Sequence, residues 1–147
     1  MEEARKSRPI RVLVIDDDAG VRDVVAAILG DEGYDVSMLD HLADAAVRAA
    51  IDRIEPHCIL LDGAEAIGFA KAWTTAVDLR RRARPIPTVM FTAHVLDAAE
   101  AERATSERAV AAGYAAVLCK QFHLEDLVST VERVVAAAQP SDGRSQH

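Results

Sequence analysis

Short apolar runs alternate along the chain with longer segments in which apolar residues recur every three or four positions. An unbroken apolar run predicts a buried strand, and the three-to-four spacing predicts an amphipathic helix. The apolar runs predict strands over residues 10–15, 35–39, 57–61, 86–91 and 115–119. The periodic segments predict a helix capped by Asp18 that ends near Gly33, a helix capped by Asp40 that ends before Pro56, and helices over about 66–83, 96–112 and 124–138.

This strict alternation of strand and helix predicts an α/β fold, with a doubly wound five-stranded parallel sheet covered by helices on both faces. The connections between successive strands are expected to be right-handed. In open sheets of this kind the ligand site lies beyond the carboxyl ends of the strands, where the strand order reverses. We therefore expect the functional residues immediately after the strands.

The composition limits the classes of function. The chain has 147 residues, of which 50% are hydrophobic and 28% charged, a balance typical of one globular domain. Its net charge of -7 argues against a nucleic-acid partner, because surfaces that bind nucleic acid are normally basic. No apolar stretch is long enough to span a membrane, and residues 1–9 lack the apolar core of a signal peptide. A cytoplasmic protein without a membrane partner is therefore expected.

The ends of the chain differ from its middle. Residues 1–8 are charged and aperiodic, which predicts a disordered arm. Residues 139–147 are polar and include Pro140 and Gly143, which predicts a disordered tail. The folded domain is expected to occupy residues 9–138.

Several conspicuous residues have structural interpretations. Cys58 and Cys119 fall inside predicted strands without the spacing of a zinc site, so both are interpreted as small core residues. The arginine-rich run over residues 80–84 is interpreted as a solvated helix end that complements the helix dipole. Trp73 has helical spacing and is interpreted as core packing, and Asp18 is interpreted as a helix cap rather than a metal ligand.

Polar residues with complementary chemistry follow four of the five predicted strands. Asp16 and Asp17 follow the first strand and Asp62 the third, whereas Thr92 follows the fourth and Lys120 the fifth. Three converging carboxylates raise one another's pKa unless a cation lies among them, and a few oxygen ligands suit Mg²⁺. A lysine and a threonine across such a site are suited to bind the oxygens of a phosphoryl group. The set indicates phosphoryl transfer onto a carboxylate, with Asp62 attacking.

In these motifs the chain resembles the receiver domains of bacterial two-component response regulators, the CheY-like proteins, over roughly residues 9–138. The motifs are VLVIDDD over residues 12–18 with Arg22, ILLD over 59–62, PTVMFTAH over 87–94, and Gly113 with KQFHLEDL over 120–127. The resemblance implies a flavodoxin-like fold with five helices and the sheet order 2-1-3-4-5. With that order a third strand separates Cys58 from Cys119, so they lie about 9 to 10 Å apart, too far for a disulfide.

The resemblance also assigns roles. It implies that Asp62 is the phosphoacceptor and that Mg²⁺ is held by Asp16, Asp17, Asp62 and the backbone carbonyl of Ala64. Thr92 would bind the phosphoryl group and couple it to a shift of the following loop. Lys120 would pair with the phosphate.

The sequence departs from the family pattern at several positions. Ala66 and Ala70 replace a proline and a glycine after the acceptor, which predicts a reshaped loop there. Val117 replaces the family's switch aromatic, and Gln121 replaces the proline after the lysine. The bond before Gln121 is therefore expected to be either trans, with a moved Lys120, or a strained cis bond.

The segment between Thr92 and Lys120 is longer than the family pattern, which indicates an unusual partner or dimer. Four residues near the site are interpreted as modulators of its chemistry. They are Ala64, His94, Val117 and Gln121.

Three hypotheses follow. In the first, the chain is a stand-alone receiver, not an enzyme, that takes a phosphoryl group from a histidine kinase or histidine phosphotransfer protein. It then signals to a target protein through the face formed by the fourth helix, fifth strand and fifth helix. In the second, it is a degenerate receiver that binds partners without phosphorylation. In the third, it is a small haloacid-dehalogenase-type phosphatase with Asp16 as nucleophile and Asp18 as acid-base, although Gly20 stands where that motif has threonine.

Overall fold

The structure, a computed structural model, describes residues 9–62 and 69–138. The predicted arm, the predicted tail and the predicted start of the third helix lie outside these residues. The elements in chain order are β1 (Arg11–Ile15), α1 (Ala19–Asp31), β2 (Asp35–Leu39), α2 (Asp44–Ile54), β3 (Cys58–Asp62), α3 (Phe69–Arg81), β4 (Thr88–Thr92), α4 (Val95–Arg103), α5 (Glu107–Ala112), β5 (Ala116–Cys119) and α6 (Leu124–Ala138).

The five strands form one parallel sheet in the order β2-β1-β3-β4-β5. Ile15 of β1 pairs with Leu61 of β3, so the ends of these two neighbouring strands are level. Chain connections leave β1 and β3 toward opposite edges of the sheet, and the reversal point lies between these two strands. The predicted fold class and strand order are confirmed.

Helices cover both faces of the sheet, as the alternation of side chains along each strand requires. In β1, Val12 and Val14 pack beneath α1 and α6, whereas Leu13 and Ile15 pack beneath α2, α3 and α5. The same alternation continues to the strand ends. It places Thr92 in line with Met90, on the face beneath α2 to α5.

Asp18 caps α1 as predicted, because its side-chain oxygen accepts a hydrogen bond from the backbone N–H of Val21 at 3.2 Å. The prediction that Asp40 caps the second helix was wrong, since α2 begins at Asp44 after Ala43. In the intervening loop, Nδ1 of His41 accepts a hydrogen bond from the N–H of Ala43 at 3.2 Å. This bond holds the segment before Ala43, whose own backbone is extended, so the helix starts only after it.

The single helix predicted over residues 96–112 is two helices, which makes six helices in the described part of the chain rather than five. Ala104 has φ +53° and ends α4, and Ser106 then caps α5 by accepting a hydrogen bond from the N–H of Ala109 at 3.2 Å. Left-handed backbone cannot continue a helix, and a serine cap starts a new one. The added length of this segment therefore forms a separate short helix.

Cys58 is buried, and desolvation raises the pKa of its thiol to about 12. Cys119 is exposed at the end of the edge strand β5, so its interpretation as a core residue was wrong. Both thiols are free, and β4 lies between their strands, as expected.

In the described ranges, no helix combines the length and the apolar character that crossing a membrane requires.

Candidate functional site

Three carboxylates meet at the point where the strand order reverses. Asp16 follows β1, Asp62 ends the neighbouring strand β3, and one carboxylate oxygen from each of Asp16, Asp17 and Asp62 lies within 4.8 Å of the others. Asp16 is 1% exposed and Asp62 8% exposed, whereas Asp17 faces solvent. Sequence reasoning placed Asp62 after its strand, but it belongs to β3, where it pairs with Phe91 of β4. Backbone pairing on this strand therefore holds Asp62 in position.

The loop after β1 fixes the orientation of Asp16. The guanidinium of Arg22 donates a 2.7 Å hydrogen bond to the carbonyl oxygen of Asp16, and the N–H of Asp18 donates a 2.9 Å bond to its Oδ1. The N–H of Asp16 itself donates to the carbonyl of Leu39 at 3.1 Å. Arg22 belongs to the first motif of the sequence, and its role there is this bond to the carbonyl of Asp16.

Lys120 lies between the two buried acids. Its Nζ is 2.8 Å from Oδ2 of Asp16 and 3.3 Å from Oδ1 of Asp62. The contact with Asp16 is an ion pair rather than a well-directed hydrogen bond, since Oδ2 receives no bond of proper geometry. Burial by itself would lower the pKa of Lys120, but its contact with Asp16 and the attraction of Asp62 outweigh burial and raise the pKa. Lys120 is therefore charged at neutral pH.

The peptide bond between Lys120 and Gln121 is trans. The predicted displacement of Lys120 that would accompany a trans bond is not observed, because the ammonium contacts both acids. The backbone explains this position, since the N–H of Lys120 donates a 2.9 Å hydrogen bond to the carbonyl of Thr92 on the adjacent strand. That bond positions Lys120 without a proline after it.

The charges of this site suit a divalent cation. The site brings together the three carboxyl groups of Asp16, Asp17 and Asp62 and a single ammonium, that of Lys120. Carboxylate oxygens, with a solvent-facing side at Asp17, are the donor set that Mg²⁺ prefers. The expected fourth ligand, the carbonyl of Ala64, lies outside the described residues, as does Ala66.

Thr92 is fully buried at the end of β4. Its Oγ1 accepts a 2.9 Å hydrogen bond from the N–H of His94, so the hydroxyl holds the loop that leads into α4. His94 is half exposed, and its Nδ1 is 3.7 Å from Oδ2 of Asp97. Val117 is half-buried against the cluster beneath α2 to α5, and Gln121 is exposed.

Sequence reasoning missed a buried acid on α4. Asp97 is 3% exposed, whereas its neighbour Leu96 is 77% exposed, the reverse of what their polarity suggests. Arg108 of α5 lies 3.6 Å from Asp97 and makes two 2.8 Å hydrogen bonds to Glu100. The available signal was the spacing of Asp97 and Glu100, three residues apart on one helix face.

Trp73 is buried in the core, as predicted. The centroid of its ring lies 5.5 Å from that of Tyr114. The arginine run is largely exposed, as predicted, and a contact with a neighbouring helix is added at Arg80. Its Nη1 donates a 2.6 Å hydrogen bond to the carbonyl of Val110, near the carboxyl end of α5. An arginine at that end satisfies a carbonyl that the helix leaves free.

Two grooves elsewhere on the surface do not include the acidic site. A groove of about 360 Å³ lies between α2 and α3, and another of about 630 Å³ lies at the amino ends of the strands. Neither is lined by Asp16, Asp62 or Lys120.

The fold occurs in known proteins. The sequence model of the response regulator receiver domain matches residues 12–132. Response regulator MprA from Mycolicibacterium vanbaalenii is 28% identical over 140 residues, which cover 94% of this chain and 55% of MprA. The chain thus spans about half the length of this curated relative.

Solved structures share the fold. NtrX from Brucella abortus superposes with a TM-score of 0.73 at 22% identity, covering 94% of this chain and 29% of NtrX. A CheY-like receiver domain protein from Methanospirillum hungatei superposes with a TM-score of 0.70 at 20% identity, covering 88% of this chain and 96% of that protein. Together with the match over residues 12–132, these findings show that the chain belongs to the response regulator receiver domain family, the phosphoacceptor domains of two-component signalling.

Proposed function

We propose that Asp62 is the phosphoacceptor of this receiver. The observation that carries the proposal is its position: a buried carboxylate at the end of β3, beside Asp16, with the Lys120 ammonium at 3.3 Å. In the proposed step a carboxylate oxygen of Asp62 attacks the phosphorus of a phosphohistidine. The N–P bond breaks, an acyl phosphate forms on Asp62, and the histidine departs with the electron pair of the broken bond.

Asp16, Asp17 and Asp62 would hold Mg²⁺, with the backbone carbonyl of Ala64 as a further ligand. The ion supplies neutralisation of the charge on the phosphoryl oxygens. Lys120 would supply a further positive charge and bind a phosphoryl oxygen. Removing Asp16 or Asp17 is expected to weaken Mg²⁺ binding, whereas removing Lys120 is expected to weaken phosphoryl transfer.

Thr92 would read the modification. Its hydroxyl oxygen accepts a hydrogen bond from His94, so the hydroxyl proton is available to a phosphoryl oxygen. If Thr92 turns toward Asp62, the bond to His94 must lengthen or its loop must follow. Phosphorylation would thereby shift a two-state equilibrium of the loop before α4. From their places in the sequence, four residues would modulate this chemistry: His94, Val117, Gln121 and Ala64.

The phosphoryl donor would be a histidine kinase or a histidine phosphotransfer protein, which are the usual partners of receiver domains. The transfer would take place in the cytoplasm. The output would be a protein–protein contact made through α4, α5, β5 and α6. Val95 and Leu96 at the start of α4 expose most of their apolar side chains, which supports a protein contact at this face. This apolar pair lies directly after the loop that Thr92 holds.

A second candidate is a receiver that binds partners without phosphorylation. The observations that favour it are the residues at Val117 and Gln121, which differ from the family's aromatic and proline. The phosphatase hypothesis has no comparable support. Family membership argues against it, and Asp16, its nucleophile, is buried and engaged with Lys120.

Incubation with Mg²⁺ and acetyl phosphate, followed by intact mass measurement, tests the proposal. The wild-type chain should gain one phosphoryl group, Asp62→Asn should gain none, and an exposed acid on α1, in the variant Asp23→Asn, should leave the gain intact. Absence of a gain in wild type, or an equal gain in Asp62→Asn, would contradict it. Partner binding that is unchanged in Asp62→Asn would support the second candidate.

A further inference from the structure

Three charged side chains meet where α4 and α5 adjoin. They are Asp97 and Glu100 of α4 and Arg108 of α5, and we call them the arginine cluster. The guanidinium of Arg108 binds Glu100 through two parallel hydrogen bonds of 2.8 Å, and its Nη2 lies 3.6 Å from Oδ1 of Asp97. Ser106 donates a further 2.7 Å bond to Glu100. The cluster therefore ties α4 to α5 across the break between them.

Arg108 also contacts α3. Its Cζ lies 4.4 Å from the centroid of the Trp73 ring, a cation–π distance. Tyr114 packs edge-on against the same ring. Arg80 of α3 binds the carbonyl of Val110 at the other end of α5, so α5 is attached to α3 at two points. A displacement of Arg108 must therefore change the surroundings of Trp73.

The other end of the cluster leads to Thr92. Oγ1 of Thr92 binds the N–H of His94, and the carbonyl of His94 accepts the first hydrogen bond of α4, from Ala98 at 3.0 Å. Asp97 lies in this first turn, and its Oδ2 is 3.7 Å from Nδ1 of His94. A shift of the loop after Thr92 therefore shifts Asp97.

Because Asp97 is buried, its contact with Arg108 is costly to break. Asp97 is 3% exposed, and its Oδ2 receives no hydrogen bond of proper geometry. A buried carboxylate is costly without a compensating cation, so separating Asp97 from Arg108 is strongly disfavoured. When the first turn of α4 moves, the lowest-energy response is for Arg108 to move with it.

We propose that Arg108 is a positioning residue that carries the conformational change at Thr92 through Asp97 to Trp73 on α3. In this chain the arginine cluster takes the part that an aromatic side chain at position 117 has in the family pattern, since Val117 has no ring to rotate. The short helix α5 presents Arg108 for this contact. The inference rests on the proposed phosphorylation of Asp62.

Trp73 is the single tryptophan of the chain, so its fluorescence reports on this site alone. We would record Trp73 emission before and after addition of acetyl phosphate to the Mg²⁺-loaded chain, and measure phosphoryl gain in the same samples by intact mass. Wild type should show a change in emission that follows the phosphoryl gain. Asp97→Asn should reduce that change by about threefold or more, as expected for a residue that carries coupling, while the phosphoryl gain persists.

Asp97→Asn leaves Arg108, with its bonds to Glu100, over the Trp73 ring, so the reporter itself is preserved. Arg108→Lys keeps the charge but cannot form the two-pronged bond, and should lower the emission change as well; it serves as the second arm if Asp97→Asn does not fold. Arg103→Met, at an exposed arginine in the last turn of α4, is the matched control and should respond as wild type. Circular dichroism establishes that each variant is folded.

The outcomes separate the two proposals. Wild type without phosphoryl gain contradicts the proposed function, and the inference falls with it. A full gain without a change in Trp73 emission leaves the proposed function standing and overturns the inference. An undiminished change in both Asp97→Asn and Arg108→Lys also overturns it.

Discussion

The Lys120 ammonium and Oδ2 of Asp16 lie 2.8 Å apart, although a glutamine follows this lysine where the family pattern has proline. The contact is buried and joins the first and last strand ends of the site. Its position depends on the backbone hydrogen bond from Lys120 to Thr92, which any residue at position 121 leaves intact. Several experiments follow from this and neighbouring contacts.

Lys120→Met should destabilise the metal-free protein by about 3–5 kcal/mol, because it leaves Asp16 and Asp62 buried without their cation. Mg²⁺ should restore more stability to this variant than to wild type, since the ion would supply the missing charge. Urea unfolding with and without Mg²⁺ measures both effects. Lys71→Met, which breaks an exposed pair with Asp44, should cost about 1 kcal/mol or less and show no added Mg²⁺ response. Equal Mg²⁺ responses in the two variants would contradict the assigned metal site.

Glu100→Gln should lower stability at neutral pH but not in strong acid. The hydrogen bonds from Arg108 and Ser106 lower the pKa of Glu100 from 4.5 to about 2. A carboxyl whose pKa is depressed in the folded state stabilises the protein above its unfolded pKa, and this stabilisation is lost as the pH falls toward the folded value. The difference between wild type and variant should therefore be constant above about pH 5 and shrink toward pH 2.

Urea midpoints measured across this pH range test the expectation, and circular dichroism defines where the fold persists. Glu102→Gln, at an exposed glutamate on the same helix, is the control. A difference that grows on acidification would show that the pair with Arg108 is not its source.

Gly113→Ala should destabilise the protein by about 1–3 kcal/mol. Gly113 has φ +54°, and a Cβ there would overlap the guanidinium of Arg80, so the substitution strains the backbone and displaces the bond from Arg80 to Val110. Gly30→Ala is the matched control, because a Cβ at this helical position meets nothing within 4 Å. That change should stabilise α1 by up to about 1 kcal/mol. Thermal unfolding of both variants measures the contrast, and equal effects would contradict the role of Arg80.

Asp18→Ala should cost about 1 kcal/mol through loss of the bond to Val21, whereas Asp18→Ser should cost little, since serine caps as well as aspartate. Phosphoryl gain on Asp62 should be unchanged in Asp18→Ser. Loss of that gain would indicate that Asp18 serves the site directly and not only the helix.

The local pattern was sufficient to predict the strands, the polar residues that follow them at the edge of the sheet, and the cap of α1. A strand or helix declares itself through the spacing of apolar residues within a few positions, and a parallel sheet then brings the strand ends to one edge. Asp16, Asp17, Asp62 and Lys120 are found together for that reason.

Tertiary structure decided the features whose causes lie far apart in the chain. Val110 and Arg80 are 30 residues apart, and the hydrogen bond between them joins α5 to α3, a contact that the spacing of the arginine run does not predict. Buried Asp97 is compensated by Arg108 of the next helix, which also lies over the Trp73 ring on α3, a set of contacts that no window of local spacing contains. Periodicity measures which face of a segment is apolar, whereas the position of a charge inside the fold depends on the partner that compensates it.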